Sequence, residues 1–142
     1  MPVVHYELAV KHNARKMYDL VNDVESYHEF VPFCSHGEPI EQGDGWKKAA
    51  LSFSFSGFTH TFTTKNTYIE GALIDIELVD GPFRHLDGKW QFSDQKEGGS
   101  LVTLDMDFEV TGLLSFAFEP IFQQISHTLV DVFAKRADEV YQ

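Results

Sequence analysis

A chain of 142 residues with 43% hydrophobic and 23% charged residues has the size of one domain, and it carries enough apolar side chains to exclude disorder as its default state. Its 11 Lys and Arg against 22 Asp and Glu give a formal net charge of -11. That surplus argues against DNA or other non-specific nucleic-acid binding and against a polybasic membrane anchor, both of which run on basic residues.

Residues 3–10 place Val4, Tyr6, Leu8 and Val10 on one face, the alternation of a half-buried strand. Asn13 is placed to cap a helix carrying Met17, Leu20, Val21 and Val24, and Asp23 to cap a second short helix that Pro32 stops. The period then switches to two. Leu51, Phe53 and Phe55 alternate with serines up to Ser56-Gly57, which reads as a hairpin turn. A two-residue turn there sets Phe55 opposite Phe58, Phe53 opposite His60 and Leu51 opposite Phe62. Residues 73–79 point Ile74, Ile76 and Leu78 inward. Asp80-Gly81-Pro82 is a turn, with Asp80 expected to bond its own backbone. Leu86, Gly88, Trp90 and Phe92 share the next inner face, and Val102, Leu104, Met106, Phe108 and Val110 the last. With a weaker candidate at 35–47, this makes about seven strands. Residues 113–141 return to helical spacing through Leu114, Phe118, Ile121, Phe122, Ile125, Leu129, Val132, Phe133 and Val140. Pro120 either kinks this helix or marks its first turn. The order predicts an α+β fold: two short helices after strand 1, an antiparallel sheet and a long C-terminal helix on the apolar face of that sheet.

Cys34 is the sole cysteine, which excludes an intrachain disulfide framework and fits a reducing compartment. The opening MPVVHYELAV lacks a basic n-region and a long apolar core, and no apolar run approaches the ~18 residues of a spanning helix. The expectation is a cytoplasmic chain, peripheral to the inner membrane if it touches membrane at all, folding as one domain over 1–142.

The strand–helix–meander–helix order is the helix-grip arrangement. MYDLVNDVESYHEFVP (17–32), FTTKN (62–66), LVDGPFRHLDGKWQF (78–92), LDMDFEV (104–110) and FAKRADEVY (133–141) resemble the coenzyme Q-binding branch of the START-like (polyketide cyclase-like, SRPBCC) superfamily. That branch also holds the bacterial ribosome-association toxins. The most specific stretch is the family-motif turn Asp80, Gly81, Pro82 and Phe83 with the strand behind it. His28 departs from the pattern, which has proline after the tyrosine. The resemblance implies a curved sheet of seven strands wrapped around the C-terminal helix, with a hydrophobic tunnel between them. It further implies ubiquinone or another polyprenyl lipid as a bound ligand, without catalysis and in support of respiration. The toxin members imply binding to the large ribosomal subunit and a block of subunit joining. A polyketide cyclase or aromatase role follows only from the wider superfamily.

Against that background, Phe30, Phe53, Phe62, Trp90, Phe92, Leu104, Phe108, Phe118, Phe122, Ile125, Leu129 and Phe133 are the candidates for lining a cavity, although each taken singly also suits a packed core. Gly88 among large residues fits close approach of a ligand or a bend in the sheet. Burying a ligand gains about 0.8 kcal/mol per CH₂ against water. A quinone tail leaves an apolar bilayer, so hydrogen bonds to its head group must supply selectivity. Tyr18, His60, Tyr68 and Trp90 are the candidates for those contacts. Phe55 and Phe58 at the hairpin tip form a candidate for transient membrane contact. Lys11, Arg15 and Lys16 are a candidate patch for rRNA, with Lys47-Lys48 and Lys135-Arg136 as further basic pairs. Asp80, Arg84 and His85 bracket a turn and are weighed as an acid/base group, for which a structural turn is the simpler reading. The seven histidines show no metal-ligand spacing, so no metal and no catalytic residue is assigned.

Overall fold

Seven strands form one antiparallel sheet in the order β1-β7-β6-β5-β4-β3-β2. The computed structural model describes residues 3–55, 57–112 and 118–141, without the side chains of Phe55 and Phe58. In chain order the elements are β1 (Val3–Val10), α1 (Ala14–Asn22), a 3₁₀ helix (Val24–Glu29), β2 (Cys34–Gly43), β3 (Trp46–Phe55), β4 (Phe58–Ile69), β5 (Leu73–Asp80), β6 (Phe83–Asp94), β7 (Ser100–Val110) and α2 (Phe118–Val140). From β2 to β7 each strand pairs with its successor, and β1 closes the sheet against β7.

α1 begins where Asn13 predicts. The Asn13 side chain accepts from the Lys16 N–H at 2.9 Å, satisfying one of the orphan donors of the first turn. Met17, Leu20 and Val21 bury the inner face of the helix. At its other end the Lys47 ammonium donates to the Asn22 carbonyl at 2.6 Å, a cation set against the negative end of the helix dipole. Burial lowers the pKa of this lysine. The Asp23 side chain does not cap the backbone of the following 3₁₀ helix, as its position in the sequence suggests. Its carboxylate instead takes the Ser26 hydroxyl at 2.7 Å.

The weaker segment at 35–47 resolves into β2, a turn in which Gly45 has φ +78°, and the start of β3. The hairpin from β3 to β4 has the expected register: Phe55 with Phe58, Phe53 with His60, Leu51 with Phe62. β7 alternates buried and half-buried residues along its whole length, as a strand with one covered face must.

α2 lies on that covered face. Pro120 falls in its first turn, where a missing N–H breaks no helical bond. Phe118, Phe122, Ile125 and Phe133 are buried as the spacing predicts, and Ser126, Val130 and Ala137 join them. Val140 is a correction: it is 49% exposed, because it follows Ala137, the last residue this helix buries. Leu114 and any lead-in to the helix fall outside the described residues. Polar contacts fix α2 along its length. The Tyr6 hydroxyl donates to Asp131 at 3.2 Å, buried His12 bonds Asp138 at 2.8 Å, and the Tyr141 hydroxyl donates to the Lys16 carbonyl at 3.2 Å. The His12 bond holds the Asp138 carboxyl below its usual range.

Candidate functional site

Where sheet and helix face each other they leave a cavity of about 80 Å³. β3 and β4 supply Ala49, Leu51, Phe53, Phe62, Thr64 and Asn66; β5, β6 and β7 supply Ile76, Leu86, Trp90 and Met106. α2 closes it with Phe122, Ile125, Leu129 and Phe133, while Val24, Tyr27 and Val31 come from the 3₁₀ helix and the segment after it. Phe53 and Phe62 stack with centroids 5.8 Å apart, and Phe122 stands edge-on to both. Trp90 meets Phe133 edge-on at 5.4 Å. The buried Tyr27 hydroxyl donates to the Val21 carbonyl, and burial raises its pKa.

Seven of the predicted lining residues, Phe53, Phe62, Trp90, Phe122, Ile125, Leu129 and Phe133, stand in this wall. The other five do not. Phe108 packs edge-on against Phe122 at 4.8 Å, and Phe118 lies between Phe83 and His60. Phe92 stacks on Trp90 and meets Tyr18, Leu104 is fully buried, and Phe30 is half-buried against Phe133 beneath the Arg136 guanidinium. The hydrophobic tunnel expected from the resemblance is narrow here. Its volume lies well below the about 300–1,000 Å³ usual for ligand sites, because aromatic rings from four strands and α2 interlock across the gap. At Gly88 a Cβ would stand 3.4 Å from Ile76 Cδ1 and 3.5 Å from Met106 Cγ, so these two wall residues fill the room a ligand would need there.

Of the head-group candidates only Trp90 is in the wall. Tyr18 and Tyr68 meet each other at 6.3 Å, with the Arg15 guanidinium 5.6 Å from the Tyr18 ring; burial pushes the Tyr18 hydroxyl up to about 12. His60 is half-buried against Phe118. Besides Trp90 and Tyr27, whose hydroxyl is taken up by Val21, the polar groups in the wall are Thr64 and Asn66. Alternation in FTTKNTY (62–68) puts Phe62, Thr64, Asn66 and Tyr68 on one face, and polar residues in phase with aromatic ones are the signal that would have found them.

The family-motif turn braces the cavity from outside. Gly81 has φ +146°, and a Cβ there would lie 2.4 Å from Phe62 Cβ. The Pro82 carbonyl accepts from the Thr111 N–H at 3.0 Å, and the buried Phe83 ring touches Phe62 and Phe122. Asp80 is a second correction. Among the described residues its carboxylate accepts no hydrogen bond, and the strands, not an Asp80 side-chain bond, hold the turn. Arg84 pairs with Glu109 at 3.7 Å and His85 with Asp107 at 3.0 Å, so no acid/base group with Asp80 is assembled.

The basic candidates are largely matched. Lys11 pairs with Asp138 at 3.5 Å, Arg15 with Asp19 and Glu70, and the Lys16 ammonium sits 5.5 Å from the Tyr141 ring centroid. Lys48 pairs with Glu41, and Arg136 bridges Glu29 and Glu139. Phe55 and Phe58 are paired in register, but the membrane contact expected of their side chains lies outside the described residues. Among the described residues no three His, Cys, Asp or Glu side chains are grouped to hold a metal ion, and no helix is long and apolar enough to cross a membrane.

Residues 10–134 match the family model described as polyketide cyclase / dehydrase and lipid transport. The chain is 39% identical over 129 residues to the ribosome association toxin RatA of Pseudomonas aeruginosa, a match that covers 90% of each chain. It is 30% identical over 131 residues to the mitochondrial coenzyme Q-binding protein COQ10 homolog B of Xenopus laevis, covering 89% of this chain and 54% of that one. Among solved structures, TTHA0849 from Thermus thermophilus superposes with a TM-score of 0.82 at 16% identity, over 99% of this chain and all of that one; this likeness bears on the fold alone. Matched from strand 1 into the gripping helix, this chain belongs to the RatA- and COQ10-like branch of the polyketide cyclase/START superfamily.

Proposed function

We propose that this protein acts by associating with the ribosome, as a binding protein rather than an enzyme, with the large subunit as its target. The observation that carries this reading is the similarity to the ribosome association toxin over nine tenths of both chains. The net charge of -11 means that any rRNA contact is local. At Lys11 and Arg15 it requires phosphates to replace Asp138, Asp19 and Glu70 as partners, and at Lys16 to draw the ammonium from the Tyr141 ring. Purified protein added to ribosomal subunits and run on sucrose gradients is expected to travel with the large subunit and to leave free subunits unjoined. Replacing the three basic residues by glutamate is expected to weaken this association and to flatten its dependence on salt, by about one unit of log–log slope for each phosphate the variant no longer binds. Protein that stays at the top of the gradient at every salt concentration refutes the reading.

A second reading follows the COQ10 relative: an apolar ligand, ubiquinone or a related polyprenyl lipid, held between sheet and α2. The name of the COQ10 relative and a wall drawn from five strands and two helices support it. The two readings concern different surfaces and are compatible. Organic extraction of the purified protein followed by mass spectrometry is expected to release a quinone or polyprenyl compound in near-stoichiometric amount. Repeated preparations without one count against it.

A further inference from the structure

Besides the Trp90 indole and the Tyr27 hydroxyl, which is taken up by the Val21 carbonyl, the cavity wall is polar at two adjacent inward positions of β4. Thr64 is 5% exposed and Asn66 8%. They follow Phe62 on the same face of the strand, and Asn66 lies directly across from Ile76 of β5. The Thr64 hydroxyl donates to Asn66 Oδ1 at 3.0 Å, which fixes the orientation of the amide. The other end of that amide carries two N–H donors. Among the described residues Nδ2 makes no hydrogen bond, the bond of the amide being that at Oδ1. The donor end is not sealed off as an orphan, so a water-sized group reaches it, and an acceptor that enters there takes the place of water.

We propose that Asn66, oriented by Thr64, is the hydrogen-bonding anchor of the cavity, donating from Nδ2 to a carbonyl or ether oxygen of an otherwise apolar ligand. This rests on the second reading above, that the cavity takes such a ligand, and it adds what the site selects: an oxygen acceptor attached to a greasy body. The direction comes from the oriented amide beside the Trp90 indole, while the rest of the wall offers mainly dispersion and area. Tyr18 and His60 play no part in it, since neither stands in the wall.

The test compares two probes with the same tail, decyl-1,4-benzoquinone and decylbenzene, by equilibrium dialysis against the full chain. The wild-type protein is expected to prefer the quinone. Asn66→Leu is expected to reduce that preference about five- to tenfold while holding decylbenzene as well or better, and Thr64→Val to reduce it by a smaller factor. Asn66→Val, which suits a strand, carries the test if the leucine variant fails to fold. A preference unchanged in the folded Asn66 variants overturns the anchor, as does equal binding of the two probes by the wild type. Failure of both probes to bind the wild type overturns the ligand reading itself, and the anchor with it.

Discussion

Phe122→Ala is expected to cost about 3–5 kcal/mol of folding stability. The Phe122 ring lies within 6.2 Å of the rings of Phe53, Phe62, Phe83, Phe108 and Phe118. It is 4% exposed, and it is the point at which α2 plugs the sheet. Removing it forfeits the transfer energy of the ring and leaves a hole that five rigid neighbours cannot collapse to fill. The new hole adjoins the existing cavity, so the same substitution enlarges the space for an apolar ligand. Urea unfolding measures the loss. Leu129→Ala is the comparison, since Leu129 lines the same cavity but is only half-buried and is expected to lose well under half as much. Equal losses at the two positions would show that the ring cluster is not what holds helix to sheet.

The second large effect is expected at Gly81. Alanine there is strained at φ +146° and drives its Cβ to within 2.4 Å of Phe62 Cβ. Strain and overpacking together are worth about 2–5 kcal/mol, a fall in Tm of roughly 10 °C at the middle of that range. Gly98→Ala separates the two causes. Its φ is +100°, yet nothing lies within 4 Å of the added Cβ, so strain acts there without a clash. Thermal melts are expected to show Gly81→Ala losing at least twice what Gly98→Ala loses. Similar losses would mean that the turn yields and that Phe62 is not braced by it. Because Phe62 lines the cavity, this prediction ties the most specific motif of the chain to the shape of the site.

The two substitutions also mark how far the chain can be read without coordinates. Val102 to Val110 is legible because one face of β7 is covered and the other is not, so burial imposes period two on residue type. The register of the β3–β4 hairpin is legible because a two-residue turn leaves only one pairing. Gly81 is legible as a turn, while its closeness to Phe62 is not. β4 and β5 are joined through their own hairpin, and a register shift between Thr63 and Thr64 brings the following turn over the strand. Asp80 misleads for a related reason. An aspartate before Gly-Pro suggests a local side-chain bond, but backbone pairing across the sheet already holds the turn.

Residue type and spacing by themselves determined the element order, the register of the β3–β4 hairpin, the apolar face of α2 and the branch of the superfamily, since each depends on periodicity or on a contiguous motif. Only the tertiary structure decided which aromatic residues face a void and which face one another. Large side chains in phase with the core look alike in one dimension, and only the packing of helix on sheet sets Phe62 at the cavity and Phe108 behind Phe122. It likewise decided that Thr64 and Asn66 stand in the wall while Tyr18 and Tyr68 meet each other outside it, because which side chains border a gap depends on distances across strands that no spacing encodes.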